Sequence, residues 1–317
     1  MSDDRGRFTA ETERFRRELL AYCYRVVGSA SDAEDLVQEA YLRAWRAYAG
    51  FERRASMRSW LYKIASNVCL TALESRRGRV LPSALAPPHE GGRPPTTVAD
   101  GVSWLEPLPD SWIATDDPAT IAIARESLRL ALIASLQHFP ARQRAIFILR
   151  EILAFSAEET AEVLDCTVAA VKSGLQRVRA RLDELTQTRD ELLDPTDPRA
   201  RELLDGYIAA FERSDASLLL QVLRADATLE ATPFRDWQAG RAHCIHLLAT
   251  YILGVPGDWK MVATTANGQP AATVYRRDAD GTMRPNGIVV LAATTTGVSR
   301  VVAFHHDPAL VDLFARR

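Results

Sequence analysis

The chain has 317 residues, more than one ordinary domain holds and enough for two or three compact units. Hydrophobic residues at 47% and charged residues at 25% supply real cores and exclude global disorder, and no apolar run reaches the roughly 18 residues of a membrane-spanning helix. Lysine and arginine total 39 against 41 aspartates and glutamates, so the formal charge of -2 provides no global basic footprint, and affinity for nucleic acid has to come from local patches. The N-terminus lacks a hydrophobic signal core, and Cys23, Cys69, Cys166 and Cys244 form no C-x-x-C pair. The expectation is a cytoplasmic protein with no disulfide framework, metal or cofactor.

Residues 1–78 read as a helical module. Phe15, Leu19, Tyr22, Cys23 and Val26 recur at helical spacing, and Ser31 with Glu34 predicts a capping box opening a second helix, whose stripe continues through Val37, Tyr41, Ala44 and Tyr48. A third helix is predicted from near Ser56 to about Ser75, with Leu61, Ile64, Ala65, Val68, Cys69 and Ala72 inward. Its other face carries Trp60, Lys63 and Asn67, with Arg53, Arg54, Arg58, Arg76 and Arg77 around it. Aromatics interleaved with cations suit unstacked single strands, at about 1–3 kcal/mol per stacked base. Trp60 packed on a neighbouring helix is the equally open alternative.

Residues 79–118 form a proline-rich, acidic linker: Pro82, Pro87, Pro88, Pro94, Pro95, Pro107, Pro109 and Pro118 interrupt every period, and one-sided charge predicts an extended, self-repelling tether. Trp104-Leu-Glu-Pro-Leu-Pro-Asp-Ser-Trp112 is too aromatic for a plain tether, and Trp104 and Trp112 are candidate docking residues. Residues 119–190 read as a second helical module, starting with a helix marked by Ile121, Ala124, Leu128, Leu132 and Leu136 and another opening at Pro140. Ser156 and Glu159 then cap a short helix, the turn Asp165-Cys166-Thr167 follows, and a helix starts at Val168, which is a helix-turn-helix pattern. In that last helix Val168, Val171, Leu175, Val178 and Leu182 form the packed stripe. Lys172, Ser173, Gln176, Arg177, Arg179 and Arg181 remain outside, a surface suited to the major groove or, more plainly, an ordinary solvated basic face.

After Asp194-Pro-Thr-Asp-Pro198 the character changes. Helices near 204–211 and 218–223, a strand at 227–232, a helix at 243–252 and strands at 261–265, 272–276, 288–294 and 299–305, with Asn267-Gly268 and Asp280-Gly281 turn signals, predict an α+β unit over 197–317 with an antiparallel sheet. His243, His246, His305, His306, Asp307 and Glu230 are candidate bases or ligands there; His243 and His246, three apart on a predicted helix, are a possible metal pair, two satisfied or exposed histidines being the favoured reading, and no catalysis is assigned.

Asp32-Ala-Glu-Asp-Leu-Val-Gln-Glu39, Tyr41-Leu-Arg-Ala-Trp45 and Arg58-Ser-Trp-Leu-Tyr-Lys-Ile-Ala-Ser-Asn67 closely resemble region 2 of bacterial sigma-70 family initiation factors, especially the extracytoplasmic-function group. Leu136-Gln-His-Phe-Pro-Ala-Arg-Gln-Arg144, Phe155-Ser-Ala-Glu-Glu-Thr-Ala-Glu-Val-Leu164 and Val168-Ala-Ala-Val-Lys-Ser-Gly-Leu-Gln-Arg177 resemble region 4. The resemblance implies two helical sigma domains, the second a helix-turn-helix, in a factor that binds core RNA polymerase and promoter DNA. It places Asp32, Asp35, Leu36, Val37, Gln38 and Glu39 against the polymerase. It gives minus-ten capture and melting to Phe51, Arg53, Arg54, Trp60, Lys63 and Asn67, and minus-thirty-five reading to Lys172, Ser173, Gln176, Arg177 and Arg179. The C-terminal element order is similar to the cone-shaped SnoaL-like fold, and Trp104-Leu-Glu-Pro-Leu-Pro-Asp110 resembles a linker motif of sigma factors carrying such a domain. That implies a built-in regulator, with a small molecule as a candidate ligand and no anti-sigma partner named. A ligand-sensing helix-turn-helix repressor and a small-molecule isomerase or cyclase are the rival expectations.

Overall fold

The computed structural model describes residues 2–53, 55–74, 78–89, 94–98, 101–113, 125–185, 191–305 and 307–315. Two compact units emerge: Met1–Arg79, Trp112–Ile123 and Leu130–Thr188 form one, and Val80–Ser111, Ala124–Arg129 and Arg189–Arg317 the other.

In the first unit α1 (Ser2–Thr12) precedes α2 (Arg16–Val27), α3 (Ala30–Ala47) and α4 (Met57–Leu73). Gly28 ends α2 in the left-handed conformation, at φ 72°, and sets Ser29 in the extended geometry an N-cap requires. Ser29 therefore accepts the Asp32 N–H, two residues before the predicted cap, and the Ser31 hydroxyl bonds Ser29 instead. Ser56 caps α4 as expected. Inside, Tyr22 and Tyr62 meet edge to face at 5.1 Å, and Tyr22 Oη bonds Ser66 Oγ at 2.6 Å. The buried aromatic bodies thus keep their polar ends satisfied.

The same unit continues with α5 (Leu130–Leu136), α6 (Ala141–Phe147), a π-helical turn over Ile148–Ile152, α7 (Ala157–Leu164) and α8 (Val168–Leu185). Ser156 and Glu159 form the full reciprocal capping box, and Asp165 turns the chain at φ 51° between α7 and α8. Ile121 and Ala124 of the first predicted helix lie outside the described residues; the helical turn at 125–128 breaks at Arg129 and α5 starts afresh. The two helical blocks share one core. Tyr62 of α4 meets the Phe155 ring at 5.0 Å, the Arg58 guanidinium lies 4.3 Å from the Phe155 centroid, and Arg144 of α6, 3% exposed, reaches the Val26 carbonyl at the end of α2. Burial pushes the Arg144 guanidinium down to about 10, and the oxygens of Val26, Gln137 and Phe139 around it answer that penalty.

The second unit carries α9 (Pro198–Glu212) and α10 (Leu219–Val222), then β1 (Leu223–Thr232), β2 (Gln238–Ala239), α11 (Arg241–Leu247), β3 (Trp259–Ala266), β4 (Gln269–Arg277), β5 (Met283–Thr294), β6 (Gly297–His305) and α12 (Pro308–Ala315). Its sheet runs β2-β1-β6-β5-β4-β3. The pairs are antiparallel as predicted except β1 with β6, which is parallel. Side chains alternate across a strand, so Leu229, Val301 and Ala303 face the helices, where Tyr207, Phe211 and Trp259 fill the core, while Glu230, Arg300 and Val302 face the other way. Asn267 and Gly268, at φ 56° and 66°, make the tight β3–β4 turn that Asn-Gly signals.

The predicted extended linker is corrected by the structure, for residues 80–111 belong to the second unit. Arg235 N–H donates to Thr96 O at 2.9 Å, His89 N–H to Trp237 O at 2.7 Å, and Trp237 Nε1–H to Ala86 O at 2.8 Å. Leu81, Leu105 and Leu108 are buried. Prolines forbid a regular element here, yet the apolar leucines and the offered backbone partners outweigh the charge repulsion that would extend the chain.

Candidate nucleic-acid interface

The second helix of the helix-turn-helix, α8, is built as its stripe requires. Val171, Val178 and Leu182 are buried, and a Cβ on Gly174 would stand 2.9 Å from Ile146 Cδ1, so α8 crosses α6 at close range. Lys172, Ser173, Gln176, Arg177 and Arg179 are all exposed. Thr167 Oγ1 accepts the Ala170 N–H at 3.1 Å, which satisfies one donor at the positive end of the helix. Arg179 differs from the others because it is held by Glu151 at 2.7 Å.

On α4, Lys63 and Asn67 are exposed, whereas Trp60 stacks on Phe51 of the preceding loop, with centroids 4.6 Å apart and planes 26° from parallel. Beside this pair lies a cavity of about 390 Å³ lined by Glu11, Arg14, Phe51, Arg53, Ala55, Ser56 and Met57. Arg53, at φ 56°, donates to both Glu11 oxygens at 2.7 and 3.0 Å, and that bond, opposed by some desolvation, holds the Glu11 carboxyl below its usual range. Arg54, Arg76 and Arg77 lie outside the described residues. Sequence reasoning missed Glu11 and the following Arg14, because α1 shows little apolar period; Phe8 packs it against Tyr41, Trp45 and Tyr48, and Tyr41 Oη donates to Thr12 O at 2.8 Å.

The acidic face of α3 presents Asp35 and Gln38 to solvent, with Leu36 half-buried and Glu39 paired to Arg43 at 2.7 Å. Asp32 pairs with Arg79 at 2.7 Å. Val37 is a correction: at 1% exposure it faces the α-helical core, one helical step off the polar stripe, and cannot itself meet a partner. Leu42 and Trp45, 51% and 36% exposed, extend the outward face.

Trp104, in the second unit, pairs with Val80 in an isolated parallel bridge, while Trp112, counted with the first unit, ends the 3-10 turn that starts at Asp110. The chief buried anchors of the linker are its leucines. Glu230, 1% exposed, accepts from Arg300 Nε at 2.8 Å and from the Ser83 N–H at 2.8 Å, so its carboxylate is fully engaged in holding the linker turn over Pro82–Ala84. The other candidate bases are not assembled around it: His243 Nδ1 bonds Ala239 O, His305 Nδ1 bonds Asn286, and His306 lies outside the described residues. Among the described residues no cluster could hold a metal ion, and no helix is long and apolar enough to cross a membrane.

Comparison with known proteins places the chain in a family. Residues 12–79 match Sigma-70 region 2, and residues 129–182 match Sigma-70, region 4. The chain is 45% identical to the ECF RNA polymerase sigma factor SigG of Mycobacterium tuberculosis over 95% of its length and 81% of that protein. It is 30% identical to SigJ of the same species over 69% of this chain and 63% of that one, and 27% identical to the Escherichia coli ECF RNA polymerase sigma-E factor over 58% and 88%. The crystal structure of Mycobacterium tuberculosis SigJ shares the fold with a TM-score of 0.62, covering 96% of this chain and 98% of that one at 22% identity, the C-terminal α+β domain included. With helix-turn-helix, region 2 helices and C-terminal sheet domain all in their family order, the chain belongs to the ECF group of sigma-70 family RNA polymerase sigma factors.

Proposed function

We propose that the protein binds core RNA polymerase through the outward face of α3, above all Asp35, Leu36, Gln38 and Glu39, with Leu42 and Trp45 extending the contact. The α4 face and the neighbouring cavity capture and hold unpaired minus-ten bases, with Phe51, Arg53, Trp60, Lys63 and Asn67 at the strand. Lys172, Ser173, Gln176 and Arg177 of α8 read the minus-thirty-five duplex, and the C-terminal unit modulates the factor in cis by holding the linker. Bond-making chemistry belongs to the polymerase, and the protein acts where that enzyme acts, in the cytoplasm. The observation that supports this most directly is the exposed, carboxylate-free row of Lys172, Ser173, Gln176 and Arg177 on a tightly crossed recognition helix.

The test is to add the purified protein to sigma-free core polymerase on a template pool with randomised minus-ten and minus-thirty-five blocks. Initiation at one recurring sequence pair is expected; absence of association at low salt removes the proposal. Gln176→Ala should weaken transcription from the selected promoter by about 1–3 kcal/mol for a lost bidentate base contact, with the loss confined to one or two positions of the upstream element. Run-off transcription on single-position variants reads it directly.

A further inference from the structure

The β3–β4 hairpin tip holds two distant pieces of chain at once. Asn267, 0% exposed, accepts the Leu108 N–H at its Oδ1 at 2.9 Å and donates its own N–H to Leu108 O at 3.0 Å. Its Nδ2 donates to Leu128 O at 2.7 Å, and the neighbouring Gly268 N–H donates to Asp110 Oδ1 at 2.8 Å. A Cβ on Gly268 would stand 2.7–2.9 Å from the Cβ, carbonyl oxygen and Cα of Arg125, so residue 125 lies directly against the turn. Arg125 and Arg129 are tied further, to Asp194 at 2.7 Å and to Leu192 O at 3.1 Å. One buried amide side chain therefore bonds both the end of the linker and the last turn before α5. These are the approach to region 4 and the departure from region 2, seated on a single body.

We infer that Asn267 is a specificity-determining residue that sets the promoter spacer length this factor accepts. The inference rests on the proposed reading of two promoter elements by one chain. Freed, the roughly 50 residues between Arg79 and Leu130 could span up to about 170 Å. Seated, their two ends ride on a body of about 170 residues, whose radius of gyration is roughly 15 Å and whose width is about 40 Å. Elements named for positions 25 apart are separated by about 85 Å of duplex at about 3.4 Å per base pair. A free tether tolerates any spacing within its reach; a seated one holds both attachment points on one body, so every added base pair, about 3.4 Å, has to be met by the helical blocks or by strain in the seat. Removing the amide that joins Leu108 to Leu128 uncouples the linker end from the approach to α5, which Arg125 and Arg129 still tie to Asp194 and Leu192, and so loosens the seat and widens the range.

The experiment uses the full chain with core polymerase and the promoter selected above, in templates whose spacer is lengthened or shortened in single base pairs up to five. For the unsubstituted protein output should fall at least tenfold within 3 base pairs of the optimum. For Asn267→Ala the same series should stay within about threefold, and Asp110→Ala, which leaves the hairpin sequence intact, should broaden it in the same direction. A purely structural role would lower output equally at every spacer, and an unchanged profile, whatever the absolute output, overturns the inference. If Asn267→Ala initiates nowhere, the Asp110→Ala profile decides by the same criterion. Failure of the unsubstituted protein to initiate at any spacer instead sinks the two-element reading beneath it.

Discussion

Arg300→Leu is expected to destabilise the C-terminal unit by about 3–5 kcal/mol, because it strands a buried carboxylate. Glu230 is 1% exposed and has three donors: Nε and Nη2 of Arg300 and the Ser83 N–H. Arg300 itself is 29% exposed and can turn toward water, so the two halves of the pair are not equivalent. Glu230→Leu should therefore cost less than Arg300→Leu, and the Glu230→Gln/Arg300→Leu double variant should regain at least half of the single loss, the signature of a desolvated charge in place of lost packing. Because the chain has two units, native-state hydrogen exchange at β1 and β6 amides is the appropriate measurement, rather than a single melting temperature. A loss under about 1 kcal/mol for Arg300→Leu would place the carboxylate in water and refute its role in holding the Pro82–Ala84 turn.

Arg144→Ala should be nearly as severe in the other unit, at about 3–4 kcal/mol, by leaving the buried carbonyls of Val26, Gln137 and Phe139 without their donor. Lysine at this position supplies fewer donors in a less rigid arrangement and should recover only part of the loss. Urea unfolding followed at region 2 and region 4 amides separates the outcomes. Arg144 joins the two helical blocks, so α2 and α6 should lose protection together; loss confined to α6 would show that the Val26 contact contributes nothing. On the proposed reading of two promoter elements some 85 Å apart by one chain, this contact has to open, and the variant should then also reduce the work of parting the blocks.

Much of the first unit was legible because its helices expose one face and bury the other. The stripe through Val171, Val178 and Leu182, the Ser156–Glu159 box and the Asn267-Gly268 turn are local signals with a direct physical cause. Where two residues could serve equally, local reasoning slipped: Ser29 and Ser31 both cap well, and only the left-handed Gly28 decides between them. The N-terminal helix was invisible because it is held by Phe8 inserted among Tyr41 and Trp45 of α3 and the following Tyr48, not by its own period. For the site, the polar row of α8 was readable residue by residue. The Phe51–Trp60 stack and the Glu11 clamp on Arg53 were not, since each joins residues with no shared period. The linker was misread for a related reason: composition reports what a segment does alone, and Leu81, Leu105 and Leu108 find their partners far along the chain.

The parallel junction of β1 with β6 has a consequence for biosynthesis. Glu230 leaves the ribosome about 70 residues ahead of Arg300, and the central sheet stays unclosed until β6 emerges. At about 5–20 residues per second, the interval between the last turn of α8 and that final strand is roughly 6–25 s. During it the nascent chain carries both promoter-reading blocks complete while the partners of residues 80–111 arrive one after another, and Glu230 waits without Arg300 until the last strand closes the sheet over the strap.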